Sequence, residues 1–183
     1  MGVTPSNIYL LLRTWPSLLR CADLKEVVEE VKGLGFHPSK TLFVVALQAK
    51  RGISKSLWDA KVDAFKTWGW SEDAILDAFR RNPKIMLYSI KKVNAVMSFW
   101  VGHLGWDPSV LQAVPSLFGY SLEKRLMPRA SVVQYLLSRG LMKKDASLYT
   151  PFKYTDKLFL QEFVNCFEEE ETSKLLSLYR GGR

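Results

Sequence analysis

The sequence predicts an all-α fold, a solenoid of antiparallel helix pairs with a period of about 35 residues. Three observations predict it. Four phrases align on a glycine: "KGLGFHPSK" at Gly35, "KTWGWSEDA" at Gly69, "GHLGWDPSV" at Gly105 and "LSRGLMKKD" at Gly140, at intervals of 34, 36 and 35 residues. A second phrase, Pro-x4-Tyr-Ser-aliphatic-x-Lys, stands at Pro83 and again 32 residues later at Pro115. No segment alternates convincingly as a half-buried strand would.

Each element follows from local chemistry. "TPSNIYLLLRTWPSLL" has the helix-then-proline form of later segments and is assigned to the fold. Every repeat glycine follows a helical pattern and precedes a large apolar residue, Phe36, Trp70, Trp106 or Leu141. That is the form of a helix end, with glycine left-handed and the next side chain folded back on the last turn. Trp70 and Trp106 therefore read as packing residues, with base stacking as the alternative. New helix starts follow at Ser71-Glu72-Asp73, at Asp107-Pro108 and, in a weaker version, at His37-Pro38. "SEDAILDAFRRN" puts Ile75, Leu76 and Phe79 on one face, and Pro83 ends it. "KIMLY" reads as a connector with a turn of tight helix. Ser89 caps a helix running to Gly105, with Val93, Val96, Met97, Trp100, Val101 and Leu104 at helical spacing. The next unit repeats this with a short helix from Pro108 to Ala113, then Pro115, Ser121 and a helix to Gly140 that Pro128 kinks or breaks. The unit between Gly35 and Gly69 lacks the mid-repeat proline and reads "VALQAKRGISKSLW" at its corner. The chain is thus one domain, 1–183, of roughly five units. Residues 151–183 form capping helices, with Leu158, Phe159, Phe163 and Phe167 on one stripe behind a Thr155-Asp156 cap.

Charge is sorted along the chain. The net charge is +8. Residues 1–77 hold 10 Lys/Arg and 9 Asp/Glu, residues 78–144 hold 11 and 2, and residues 145–183 hold 5 and 7. The middle third therefore accounts for the imbalance, which suits a polyanion better than a solvated face. Its cations gather at the helix corners. Arg80, Arg81, Lys84, Lys91 and Lys92 flank one copy of the Tyr-Ser phrase; Lys124, Arg125 and Arg129 flank the other; Lys143 and Lys144 follow Gly140. Lys91, Lys92, Lys124 and Arg125 fall in first helical turns, the less favourable end for a cation, at about 0.3–1 kcal/mol each. That placement, made twice at matching positions, predicts a row of phosphate-contacting cations. Arg125 and Arg129 are candidates for reaching base edges.

Other functions find no support. Neither His37 nor His103 has carboxylate or cysteine company at ligand spacing, and no phosphate-loop, dinucleotide or nucleophile-elbow motif occurs. No catalytic residue, metal or cofactor is expected. Cys21 and Cys166 form no disulfide framework, which points to a reducing compartment, and Cys166 reads as a buried small apolar residue. No stretch reaches the ~18–20 apolar residues of a membrane span. Two arginines precede the first acid, Asp23, which has a presequence character. The helix-like form outweighs it, so a targeting peptide is not evident. The acidic run Glu168–Glu171 reads first as the soluble edge of the cap and second as a site for a protein partner.

The phrases "WGWSEDAI", "FRRNP", "YSLEKRLMPR" and "SRGLMKKD" resemble the plant branch of the mitochondrial transcription termination factor (mTERF) family. The match is close over about residues 57–150 and weaker towards 5 and 180. The resemblance implies a superhelix of repeats, each of two α-helices and a short 3₁₀ helix, with a basic concave surface along nucleic acid. It implies a non-enzymatic regulator in mitochondria or chloroplasts, and the chain is expected to be a monomer. Double-stranded DNA and transcription termination come first; organellar RNA in intron splicing is the alternative. A protein-interaction scaffold with little nucleic-acid affinity is the reading from another class. By position, Lys92 and Lys124 fall at the starts of corresponding helices, with Arg81, Lys91, Arg125 and Arg129 nearby.

Overall fold

The computed structural model describes residues 2–16, 23–143 and 146–181. Contacts group the chain into two compact units, Met1–Asn94 and Ala95–Arg183. The described residues are helix and turn, with no strand among them.

In the first unit, α1 (Pro5–Thr14) starts at Thr4, whose hydroxyl accepts from the Asn7 amide. Asn7 is buried and donates through Nδ2 to the carbonyls of Pro38, at 2.8 Å, and Lys40, at 3.1 Å. Helix α2 is Leu24–Gly33 and α3 is Thr41–Gly52. The start expected at His37-Pro38 is displaced to Thr41, because His37 Nδ1 engages Ser39 Oγ at 2.7 Å in a separate turn. Helix α4 (Lys55–Lys66) is capped by Ser54, so the corner lacking a proline still has its serine. Helix α5 (Glu72–Arg81) starts at the Ser71 cap with Glu72 and Asp73 at its positive end, and buries Ile75 and Phe79. Pro83–Met86 is the tight 3₁₀ turn. Ser89 Oγ then accepts from the Lys92 amide at 3.1 Å and starts α6 (Ile90–Met97).

The second unit continues with a π turn, Ser98–His103, then α7 (Ser109–Ala113) and the 3₁₀ turn Pro115–Gly119. Ser121 Oγ accepts from the Lys124 amide at 3.1 Å. A π turn, Leu122–Leu126, leads into α8 (Met127–Ser138). That is the structural answer to Pro128: the prolyl nitrogen has no hydrogen to donate, and the helix passes it after a widened turn. Helices α9 (Thr150–Lys153), α10 (Asp156–Phe163) and α11 (Glu169–Gly181) follow.

The four repeat glycines take φ of 93°, 81°, 65° and 68°. The Phe36 amide donates to Val31 O, Trp70 to Phe65 O and Leu141 to Leu136 O, the bond that closes a helix over a left-handed glycine. At Trp106 it reaches Trp100 O, one residue further back, because the π turn has inserted a residue. The two glycine intervals longer than 34 residues, 36 and 35, are the two whose second helix carries a π turn. Trp70 is buried and stacks on Phe65 at 4.9 Å. Trp106 packs edge-on to Trp100 at 4.9 Å, so both tryptophans are packing residues.

Helix α11 packs on α8, and its Leu175 and Tyr179 join Val132, Leu136, Phe159 and Val164 in one buried cluster of the second unit. Glu169–Glu171 sit in its first turn, where carboxylates suit the helix dipole. Two expectations are corrected here. Helix α10 ends at Phe163, where the chain turns to bury Val164, so Phe167 lies beyond it, and Leu158 on α10 is exposed. Cys166 lies past that turn and is exposed rather than buried. Cys21 lies outside the described residues.

Candidate nucleic-acid interface

The corner of the first unit is built by Asn82, Pro83 and Ser89. Asn82 Oδ1 accepts from the Lys84 amide, which holds the 3₁₀ turn, and Ser89 orients the first turn of α6. Lys84 and Lys91 are exposed. Lys92 is half-buried, its ammonium 5.2 Å from the centre of the Tyr88 ring. Arg81 is exposed at the end of α5. Arg80 is exposed but already engaged: its Nε donates to Leu34 O at 2.9 Å and its Nη1 reaches Asp77 Oδ1 at 2.8 Å. Leu34 follows α2, so Arg80 satisfies a carbonyl at that helix's C-terminal end.

The corner of the second unit presents Lys124, which is exposed. Its arginines behave differently. Arg125 is half-buried, lies 4.2 Å over the Tyr120 ring and donates to Phe152 O at 3.0 Å and Tyr154 O at 2.5 Å. Arg129 is fully enclosed, at 0% exposure. Its Nη1 donates to Pro151 O at 2.6 Å and Tyr154 O at 2.7 Å, and its Nη2 pairs with Asp156 Oδ1 at 2.5 Å. Burial pulls the guanidinium's pKa down, while the bond to Asp156 opposes that and holds the Asp156 carboxyl below the usual carboxylate range. The expectation that Arg129 reaches a base edge is therefore corrected. Both arginines satisfy carbonyls at the end of α9, a four-residue helix that cannot satisfy them itself. Lys143 is exposed after Gly140, and Lys144 lies outside the described residues.

Sequence reasoning missed Lys61. It is 4% exposed on α4 and its Nζ donates to the carbonyl of Tyr88, beside the first corner. Burial lowers its pKa. The signal was present, since Trp58, Lys61, Ala64 and Phe65 share one helical stripe, and a cation on the buried stripe of a helix needs an internal acceptor. Arg129 carries the same signal among Leu126, Ala130 and Val133.

The segments differ in how many acids stand near their cations. Four cations in the first unit pair with carboxylates, Lys32 with Glu29, Lys50 with Glu30, Arg51 with Asp23 and Lys66 with Glu72, whereas exposed Lys25, Lys40 and Lys55 there form no ion pair among the described residues. Lys84, Lys91, Lys92 and Lys124 have no carboxylate partner among the described residues. Residues 82–143 contain only two acids, Asp107 and Glu123. Asp107 accepts from the Ser109 amide at 2.7 Å, which lowers its pKa, so it serves the start of α7. No three His, Cys, Asp or Glu side chains group as a metal site among the described residues. No helix there is long and apolar enough to cross a membrane.

Comparison with known proteins agrees with this architecture. The chain is 30% identical over 98 residues to a protein of Arabidopsis thaliana named "Transcription termination factor MTERF15, mitochondrial". That match covers 52% of this chain and 22% of the relative, so the chain spans only a fraction of the relative's length. No solved structure matches. The mTERF family model matches residues 1–160, across the glycine-ended helices and both Tyr-Ser corners. The chain belongs to the mTERF family.

Proposed function

We propose that this chain binds nucleic acid by phosphate contacts at its helix corners, acting on duplex DNA in regulation of organellar transcription. The observation that carries this reading is the set of exposed or half-buried lysines without carboxylate partners: Lys84 and the Lys91–Lys92 pair in one unit, and Lys124 in the other. Lysines held in first helical turns, beside backbone amides, suit phosphate oxygens and carry no base information. Arg81 and Lys143 are the further candidates. Family membership and the relative's printed name, a mitochondrial transcription termination factor, support a role in transcription and in the mitochondrion.

The test is fluorescence anisotropy of labelled duplex DNA and of single-stranded RNA of matched sequence across a salt series. Four phosphate contacts predict a slope of log K against log salt of about −3.6 on duplex DNA. Lys92→Glu, Lys124→Glu and the double variant should weaken binding to unrelated sequences alike, each single variant flattening the slope by about 0.9 and the double variant by about 1.8. A double variant that binds like the parent at moderate salt removes these lysines from the contact surface. Preference for the single strand moves the substrate to RNA.

A further inference from the structure

The carbonyl of the residue before a helix cap belongs to neither adjoining helix. In a buried corner it needs a donor from elsewhere. Three tyrosines occupy that position, Tyr88 before the Ser89 cap, Tyr120 before the Ser121 cap and Tyr154 before the Thr155 cap. Two of the three, Tyr88 and Tyr154, are answered by an enclosed cation from an upstream helix. Lys61 of α4 donates to Tyr88 O in one unit, and Arg129 of α8 donates to Tyr154 O in the other.

The two cations occupy matching registers. Lys61 lies seven residues after its own cap, Ser54, and Arg129 lies eight after Ser121. The π turn Leu122–Leu126 supplies the extra residue. At the corresponding place after Ser89 stand Val96 and Met97, both buried, so the intervening helix needs no cation there for its own packing. Lys61 is thus a specific provision for the corner that follows it.

That corner is the one from which Lys91 and Lys92 project. Tyr88 joins the held carbonyl to the ring on which the Lys92 ammonium rests, at 5.2 Å. Ser89, the next residue, orients the first turn. We infer that Lys61 is a positioning residue for the proposed nucleic-acid contact: its buried ammonium fixes the Tyr88 carbonyl and thereby aims Lys91 and Lys92. Lys61 touches no phosphate itself, being enclosed. The inference rests on the proposed function, and the experiment separates the two.

The full chain is titrated with labelled mixed-sequence duplex DNA over a salt series, at a temperature where circular dichroism shows every variant folded. Lys61→Met should lose about tenfold in affinity at moderate salt and flatten the salt slope by one to two, since about 0.9 is lost per displaced phosphate contact. Lys61→Arg should restore both. In a chain already carrying Lys91→Glu and Lys92→Glu, Lys61→Met should have no further effect, because a residue that acts through those lysines cannot act without them. If Lys61→Met does not fold, Lys61→Gln replaces it in the same cycle. A folded variant with the parent's affinity and slope overturns the inference, as does a loss that adds fully to that of Lys91→Glu and Lys92→Glu. In both of those cases the proposed function stands. A parent without salt-dependent binding overturns both.

Discussion

Replacing Arg129 by methionine should remove the most heavily used interior contact of the second unit. The methionine fills part of the stem volume but donates nothing. Arg125 still reaches Phe152 O and Tyr154 O, so those carbonyls keep a donor. Asp156, whose side chain is 62% exposed, keeps water and its hydrogen bond with Tyr179. Pro151 O is the group left behind, since no second donor reaches it among the described residues. An orphaned buried carbonyl costs about 1–3 kcal/mol. Loss of the guanidinium over the Phe159 ring, now at 4.6 Å, adds about 0.5–2 kcal/mol. Part of this is offset because a charge no longer has to be buried. The net expectation is about 2–4 kcal/mol, a fall of roughly 1–2 M in urea midpoint at a slope of about 2 kcal/mol/M. Urea unfolding followed by circular dichroism measures the midpoint, and hydrogen exchange by mass spectrometry locates the damage. Protection should fall in α9 and α10 while α3 to α5 keep theirs. A midpoint within about 0.3 M of the parent, with exchange unchanged over 150–163, would refute the interior assignment of Arg129.

Three further outcomes are expected. Gly69→Ala should cost about 1–2 kcal/mol from backbone strain alone, because φ is 81° and an added Cβ meets nothing within 4 Å; thermal unfolding reads it. Asn7→Leu should cost about 1–3 kcal/mol, since two carbonyls lose their shared buried donor; a midpoint equal to the parent's would show that water reaches them. The Asp156 carboxyl is depressed first by the hydrogen bond from Arg129, so its contribution is present above the unfolded value near about pH 4. It is lost as pH falls through the folded value, because the unfolded chain takes up the proton first. The stability gap between the parent and Asp156→Asn should therefore close on acidification, and a gap independent of pH would contradict it.

The helices and their ends were legible in the sequence because their causes are local. Gly69 and Gly105 stop helices by their own backbone freedom, and Ser71, Ser89 and Ser121 start them by reaching an amide three residues on. The surplus of cations between 78 and 144 was legible for the same reason, since charge is a property of composition. Several features depended on chain segments far apart in the sequence. One is where α10 ends, decided by whether Val164 finds a core made by Leu175 and Tyr179. Another is the fate of each basic residue. Lys124 and Arg125 are neighbours, yet one is exposed and the other holds carbonyls 27 and 29 residues away. A long cationic side chain goes wherever an unsatisfied carbonyl or water receives it, and only packing decides which. By itself the sequence determined the all-helical repeat and the sign of its charge. The tertiary structure decided which cations are exposed and which, like Lys61 and Arg129, are enclosed, because the carbonyls they satisfy are brought to them only when the helices pack.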